Sequence, residues 1–162
     1  MNLDQIQYEF DSASWSVIAS YRGVRIGYLW SNVSQDARIK IADLRVENDR
    51  PVPFRFANNI WVNIGFRLHR RSFRRMGIGT ELVNILLNNA EKAGFKEVWG
   101  EVTKSDIKEF PAILNWYRHF GFESKAPDNE CEHDSAAKIF KYLPNKPVER
   151  YASPQRVCAP HR

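Results

Sequence analysis

RRMGIGTELVNILLNNAEKAGF, residues 74–95, is the most orderly stretch of this 162-residue chain. Ile78, Leu82, Val83, Leu86 and Ala90 return at the spacing of one helix face, and Gly94 stands where a helix C-terminus favours a left-handed residue. At the other end, Gly77 and Gly79 let the backbone approach a ligand where the first N–H groups of a helix lack partners within it. Those donors, the positive end of the helix dipole and the guanidinium groups of Arg74 and Arg75 describe an anion site, with a pyrophosphate as the natural guest. No Gly-Lys-Ser/Thr follows, which excludes a Walker loop. The first glycine of G-x-G-x-x-G is missing, which excludes a dinucleotide fingerprint.

Working outward, the segment RLHRRSFRR (67–75) holds five arginines and no acid. The formal net charge of the whole chain is +5, so everything else sums to zero and the basicity is local. Further upstream, residues 3–10, 15–21 and 24–31 read as a meander of strands, with Arg22-Gly23 as a hairpin turn. Residues 38–46 (RIKIADLRV) put Ile39, Ile41 and Asp43 on one face and Ala42, Leu44 and Val46 on the other, as expected of a central strand covered on both sides. The run 54–66 is too densely apolar to separate helix from strand; helix is the preferred reading. Downstream, 96–103 should be a strand parallel to an earlier one through a right-handed crossover. A second helix follows, with Pro111 in its first turn, Ile113, Leu114, Tyr117 and Phe120 along it, and Gly121 as its stop. Strands near 122–125 and 137–143 complete a mixed sheet, so the fold class is α+β.

The chain is 43% hydrophobic, enough for one cored domain over residues 1–143, followed by a proline-rich stretch, 144–162, that reads as a mobile tail. Two cysteines, Cys131 and Cys158, are too few for a disulfide framework and imply a reducing compartment. Neither a secretion leader nor an apolar run of about 18 residues is visible, so a cytoplasmic protein with no membrane partner is expected.

Downstream of the anion loop lies Trp116-Tyr117-Arg118-His119-Phe120-Gly121-Phe122. Arg74-x-x-Gly77-x-Gly79 opening a helix, with Tyr117-x-x-x-Gly121-Phe122 closing a later one, resembles the GNAT superfamily of acyl-CoA-dependent N-acyltransferases. The resemblance covers about 15–143 in element order and is specific over 72–122. It implies acetyl-CoA as co-substrate, with its pyrophosphate on the backbone of Arg75, Met76, Gly77, Ile78, Gly79 and Thr80 and with Arg74 beside it. It also implies a pantetheine arm between two splayed parallel strands, 38–46 and 96–103, near Leu44 and Val46. Tyr117 matches the family's general acid, and a tyrosine of pKa near 10 suits a departing thiolate. For the general base, Asp43, Glu47 and Glu101 remain open.

Three departures stand out. Phe110 and Ile113 occupy positions where the family often has Asn and Ala. There is no room for the two helices that usually follow the first strand. An atypical insertion spans about 47–71, and its aromatic residues, with Phe54 and Trp61 foremost, are expected to wall the acceptor pocket. The expected partner is a small-molecule or peptide amine, and a homodimer is left open. Alternatives are a non-catalytic acyl-CoA-binding sensor or scaffold and a basic nucleic-acid-binding module. Cys131-Glu132-His133-Asp134 lacks a second ligand pair and reads as a surface loop, so no metal is expected.

Overall fold

Arg22 and Gly23 take positive φ, 51° and 74°, as a type I′ turn requires. They join β2 (Ser16–Tyr21) to β3 (Val24–Ser34); β1 (Ile6–Asp11) precedes and β4 (Arg38–Val46) follows in one antiparallel meander. The computed structural model describes residues 5–47, 50–52, 69–71, 73–127 and 134–144. After β4, β5 (Arg50–Val52) and β6 (His69–Arg71) pair with each other as a separate antiparallel ladder. The expected helix over 54–66, with Phe54 and Trp61, lies outside the described residues, as do 145–162 of the expected tail.

Helix α1 (Ile78–Lys92) buries Ile78, Leu82, Val83, Leu86, Leu87 and Ala90 over one face of the sheet, against β2, β3 and β4. Its end is a Schellman turn: Gly94, at φ 77°, donates to the Glu91 carbonyl, and Phe95 N–H reaches the Ala90 carbonyl at 3.0 Å. Its start comes close to β3 because Gly27 has no side chain; a Cβ there would stand 3.2 Å from Ile78 Cγ2 and from the Arg45 carbonyl.

Next comes β7 (Glu97–Thr103), parallel to β4 from Arg38↔Glu97 to Ile41↔Gly100. Beyond those pairs both strands run on without pairing to each other. Helices α2 (Lys104–Glu109) and α3 (Ile113–Arg118) lead to β8 (Glu123–Lys125) and β9 (Ser135–Tyr142), which finish the sheet in the order β1-β2-β3-β4-β7-β9-β8.

Three sequence expectations are corrected. Helix α2 is an addition to the expected elements; a capping box makes it, with Asp106 N–H donating to Thr103 Oγ1 and Thr103 N–H to Asp106 Oδ2. Pro111 precedes α3 rather than entering its first turn, and Phe110 before it has left the helical region (φ −138°, ψ 83°), which a following proline disfavours. Most important, Asp43 does not share a face with Ile39 and Ile41. The β3–β4 register passes from Ser31↔Ile41 to Trp30↔Asp43 and skips Ala42, a β-bulge that reverses the alternation. Leu44 and Val46 therefore join Ile39 and Ile41 on the α1 face, while Asp43 and Arg45 turn to the other face with Tyr28 and Trp30.

Candidate active site

Where β4 leaves β7, at the N-terminus of α1, lies a cavity of about 720 Å³. One wall is the last half of β4, Asp43 to Val46; a second is the loop and first turn of α1; the third comes from α2 and α3 through Asp106, Glu109, Phe110, Ile113 and Trp116. The loop is anchored by Phe73, fully buried and ring-to-ring with Tyr21 at 5.8 Å, so the arginines after it are fixed to the core. Arg75 (φ 62°) and Gly77 (φ 77°) are both left-handed, which turns this backbone about the start of α1. No side chain caps that start, and the first N–H groups of the helix have no partner within it. An anion is the group those donors, with Arg74 and Arg75, would accept.

Of the expected cofactor residues, Leu44, Val46, Arg74, Arg75, Gly77, Ile78, Gly79 and Thr80 line the cavity; Met76 packs against the core instead. Arg74 faces Glu109 at 3.5 Å, both more than half exposed, so a phosphate would compete with a carboxylate for that guanidinium.

The candidate catalytic residues separate. Asp43 lines the cavity, is exposed, and accepts a hydrogen bond of 2.7 Å from the Tyr28 hydroxyl. That bond, with burial, raises the Tyr28 pKa. Glu101 lies off the cavity wall, with Oε1 2.9 Å from Lys40 Nζ, and the same ammonium stands over the Trp99 ring. Tyr117 is buried, and its ring meets Trp116 at 4.7 Å and Phe122 at 5.5 Å. Burial, with a smaller push from Asp106, holds its hydroxyl well above the usual tyrosine pKa. Trp116, one residue earlier, is the ring on the cavity wall.

The Tyr-x-x-x-Gly-Phe pattern has its own structural account. Gly121 (φ 80°) donates to the Arg118 carbonyl and Phe122 N–H to that of Tyr117, a second Schellman turn whose usual apolar contact is the Tyr117–Phe122 pair.

Sequence reasoning missed Phe73, Arg45, Trp116, Asp106 and Glu109 as cavity residues. The Thr103-x-x-Asp106 spacing could have revealed α2 and so the last two. Among the described residues, no group of three His, Cys, Asp or Glu side chains is placed to hold a metal ion. Cys131, Glu132 and His133 lie outside them, as do the substrate candidates Phe54 and Trp61. No described helix is long and apolar enough to cross a membrane.

Residues 2–122 match the model of the acetyltransferase (GNAT) family. Solved structures share the fold at low identity. Ard1 from Thermoplasma volcanium superposes with TM-score 0.57 and 16% identity, over 83% of this chain and 74% of that one. The ribosomal-protein-S18-alanine N-acetyltransferase of Escherichia coli gives 0.52 and 17%, over 90% and 74%. The PaiA N-acetyltransferase from Thermoplasma acidophilum, in complex with coenzyme A, gives 0.53 and 14%, over 79% and 60%. A search of curated proteins found no match.

Proposed function

The chain belongs to the acetyltransferase (GNAT) family, and from that premise we propose that it transfers the acetyl group of acetyl-CoA to a primary amine of a small molecule or peptide. The observation that carries this is the cavity at the start of α1, where unpartnered helix N–H groups, two left-handed residues and two arginines face the gap left by β4 and β7. These residues fit coenzyme A. Arg74, Arg75 and the backbone of 75–80 would hold its phosphates, and Leu44, Val46, Ile113 and Trp116 offer apolar walls for the arm that follows. Bound there, acetyl-CoA would supply an activated thioester.

The chain's own residues then have three tasks: to orient the amine, to receive its proton, and to provide one for the leaving sulfur. We assign proton donation to Tyr117. Its hydroxyl is protonated throughout the neutral range, although burial makes it a weaker acid than a free tyrosine. For the base, Asp43 is favoured over Glu101 by its place on the cavity wall, whereas Glu101 is engaged by Lys40. Trp61 and Phe54 remain our candidates for acceptor choice, and a cytoplasmic location our expectation.

Coenzyme A should raise the melting temperature, and acetyl-CoA with a panel of amines should release free thiol. One observation favours a second reading, a non-catalytic acyl-CoA sensor: the Tyr117 ring packs into the core and is not part of the cavity wall. Stabilisation by coenzyme A with no thiol release from any amine would select the sensor; no stabilisation would remove both.

A further inference from the structure

The bulge at Ala42 does more than reverse a strand. It sets the Asp43 carboxylate beside Trp30, its cross-strand partner, on the sheet face opposite α1. Facing side chains on paired strands have Cβ atoms about 4.5–5.5 Å apart, so one small group can touch both. Trp30 is 49% exposed, unusual for so large a ring. Its ring neighbour is Tyr28, at 5.0 Å, and the Tyr28 hydroxyl donates to Asp43 Oδ2. Arg25 lies over the Tyr28 ring at 5.2 Å, so the aromatic face left open is that of Trp30.

Asp43 also lines the cavity, one residue past the bulge and two past the last β4–β7 pair. Its carboxylate thus stands at the passage between the cavity and the sheet face. Among the described residues it forms no ion pair, in contrast to Glu101 with Lys40 and Glu109 with Arg74. An indole face and a carboxylate side by side suit an alkylammonium: charge meets the carboxylate, and the stem or the charge itself lies on the ring. Arg45, the next residue of β4 on this face and the partner of Tyr28, opposes a cation.

We propose that Trp30 and Asp43 form a subsite that holds the charged end of the acceptor, a small cationic alkylamine, and that Tyr28 is the positioning residue that aims the carboxylate. What becomes of the amine rests on the acetyl-transfer reading; that it binds here does not.

The test follows the indole Nε1–H signal of Trp30 in the full chain, identified by its loss in Trp30→Phe, during titration with n-butylammonium and, separately, n-butanol. The ammonium should shift that signal saturably and the alcohol should not. Asp43→Asn should weaken binding about 10-fold or more, the worth of a charge-assisted bond. Tyr28→Phe should weaken it about 2- to 10-fold through the lost hydrogen bond, and Arg45→Gln should strengthen it. Equal shifts with butanol, or unchanged affinity in Asp43→Asn, would overturn the proposal. In turnover, Trp30→Ala should raise KM for alkylamines about 2- to 30-fold, the range of a cation on an indole face, while Kd for coenzyme A stays within about twofold. For Tyr28→Phe the acceptor KM should rise while Kd for coenzyme A stays within about twofold. Saturable ammonium binding with no thiol release from any amine would refute acetyl transfer and leave the subsite standing. Turnover with unaltered KM in Trp30→Ala would refute the subsite and leave transfer standing.

Discussion

Gly77 and Gly79 are alike in sequence and opposite in structure, so replacing each with alanine separates folding from cofactor binding. Gly77 sits at φ 77° with nothing within 4 Å of where a Cβ would stand, so Gly77→Ala meets no clash and its cost is purely backbone. Holding an L-residue left-handed costs about 1–2 kcal/mol. At about 2–4 °C per kcal/mol for a domain of this size, the melting temperature should fall about 2–8 °C. Gly79 is an ordinary helical residue whose added Cβ would find Trp116 at 3.6 Å and Val46 at 3.7 Å, normal contact distances. Alanine is the better helix former by up to about 1 kcal/mol, so Gly79→Ala should melt no lower than the parent. Both changes touch the proposed phosphate wall, so both should blunt stabilisation by coenzyme A. At 100 times the parent Kd a ligand stabilises by about 2.7 kcal/mol, and a tenfold weaker site retains about 1.4 kcal/mol. Thermal and chemical denaturation of the three proteins, with and without coenzyme A, reads all of this. A Gly77→Ala protein as stable as the parent would refute the left-handed loop. Full coenzyme A stabilisation in Gly79→Ala would refute the placement of the cofactor.

Arg74→Ala should weaken coenzyme A about 10- to 100-fold but leave dephosphorylated pantetheine nearly unaffected, since a charge-assisted bond to phosphate is what is lost; calorimetry with both ligands decides. Tyr117→Phe keeps the packed ring and removes only the hydroxyl, so kcat should fall about 100-fold with Kd for coenzyme A changed little; intact turnover would make Tyr117 a packing residue. The same hydroxyl ionises near pH 10 in an unfolded chain and higher in the fold. Its contribution to stability is therefore complete below about pH 10 and is lost as pH rises further, a decline that should be shallower in Tyr117→Phe when denaturation is followed against pH. Asp43→Asn should lower kcat while Glu101→Gln should not, in steady-state assays with one good acceptor.

Local chemistry makes much of this molecule readable. The stripe of α1, its Gly94 cap and the Arg22-Gly23 turn each follow from a few neighbouring residues, and the strands of the meander from simple alternation. The bulge is unreadable because no residue in RIKIADLRV announces it; Ala42 is extruded by the fit of β4 to β3, a property of two strands at once. That single skipped residue determines where Asp43 points. Tyr117 and Trp116 are inseparable in sequence for a related reason. On a helix of six residues, which of two adjacent rings faces the cavity depends on how the helix docks, and periodicity over so short a span says little. The acceptor stays hidden because the residues proposed to hold it are brought together by register.

The short parallel seam between β4 and β7 also bears on how the molecule assembles and comes apart. On one side of it the meander β1 to β4 folds from neighbours in sequence; on the other, β7 pairs with β9 across α2, α3 and β8, and β9 then pairs back to β8. Among the described residues four pairs form the ladder between the halves, and forming it means closing the long stretch of chain between the two strands. The seam should therefore zip late in folding and part early in unfolding. A ligand lodged where it opens would bridge both halves like a rivet, slowing the unfolding rate more than it speeds the folding rate.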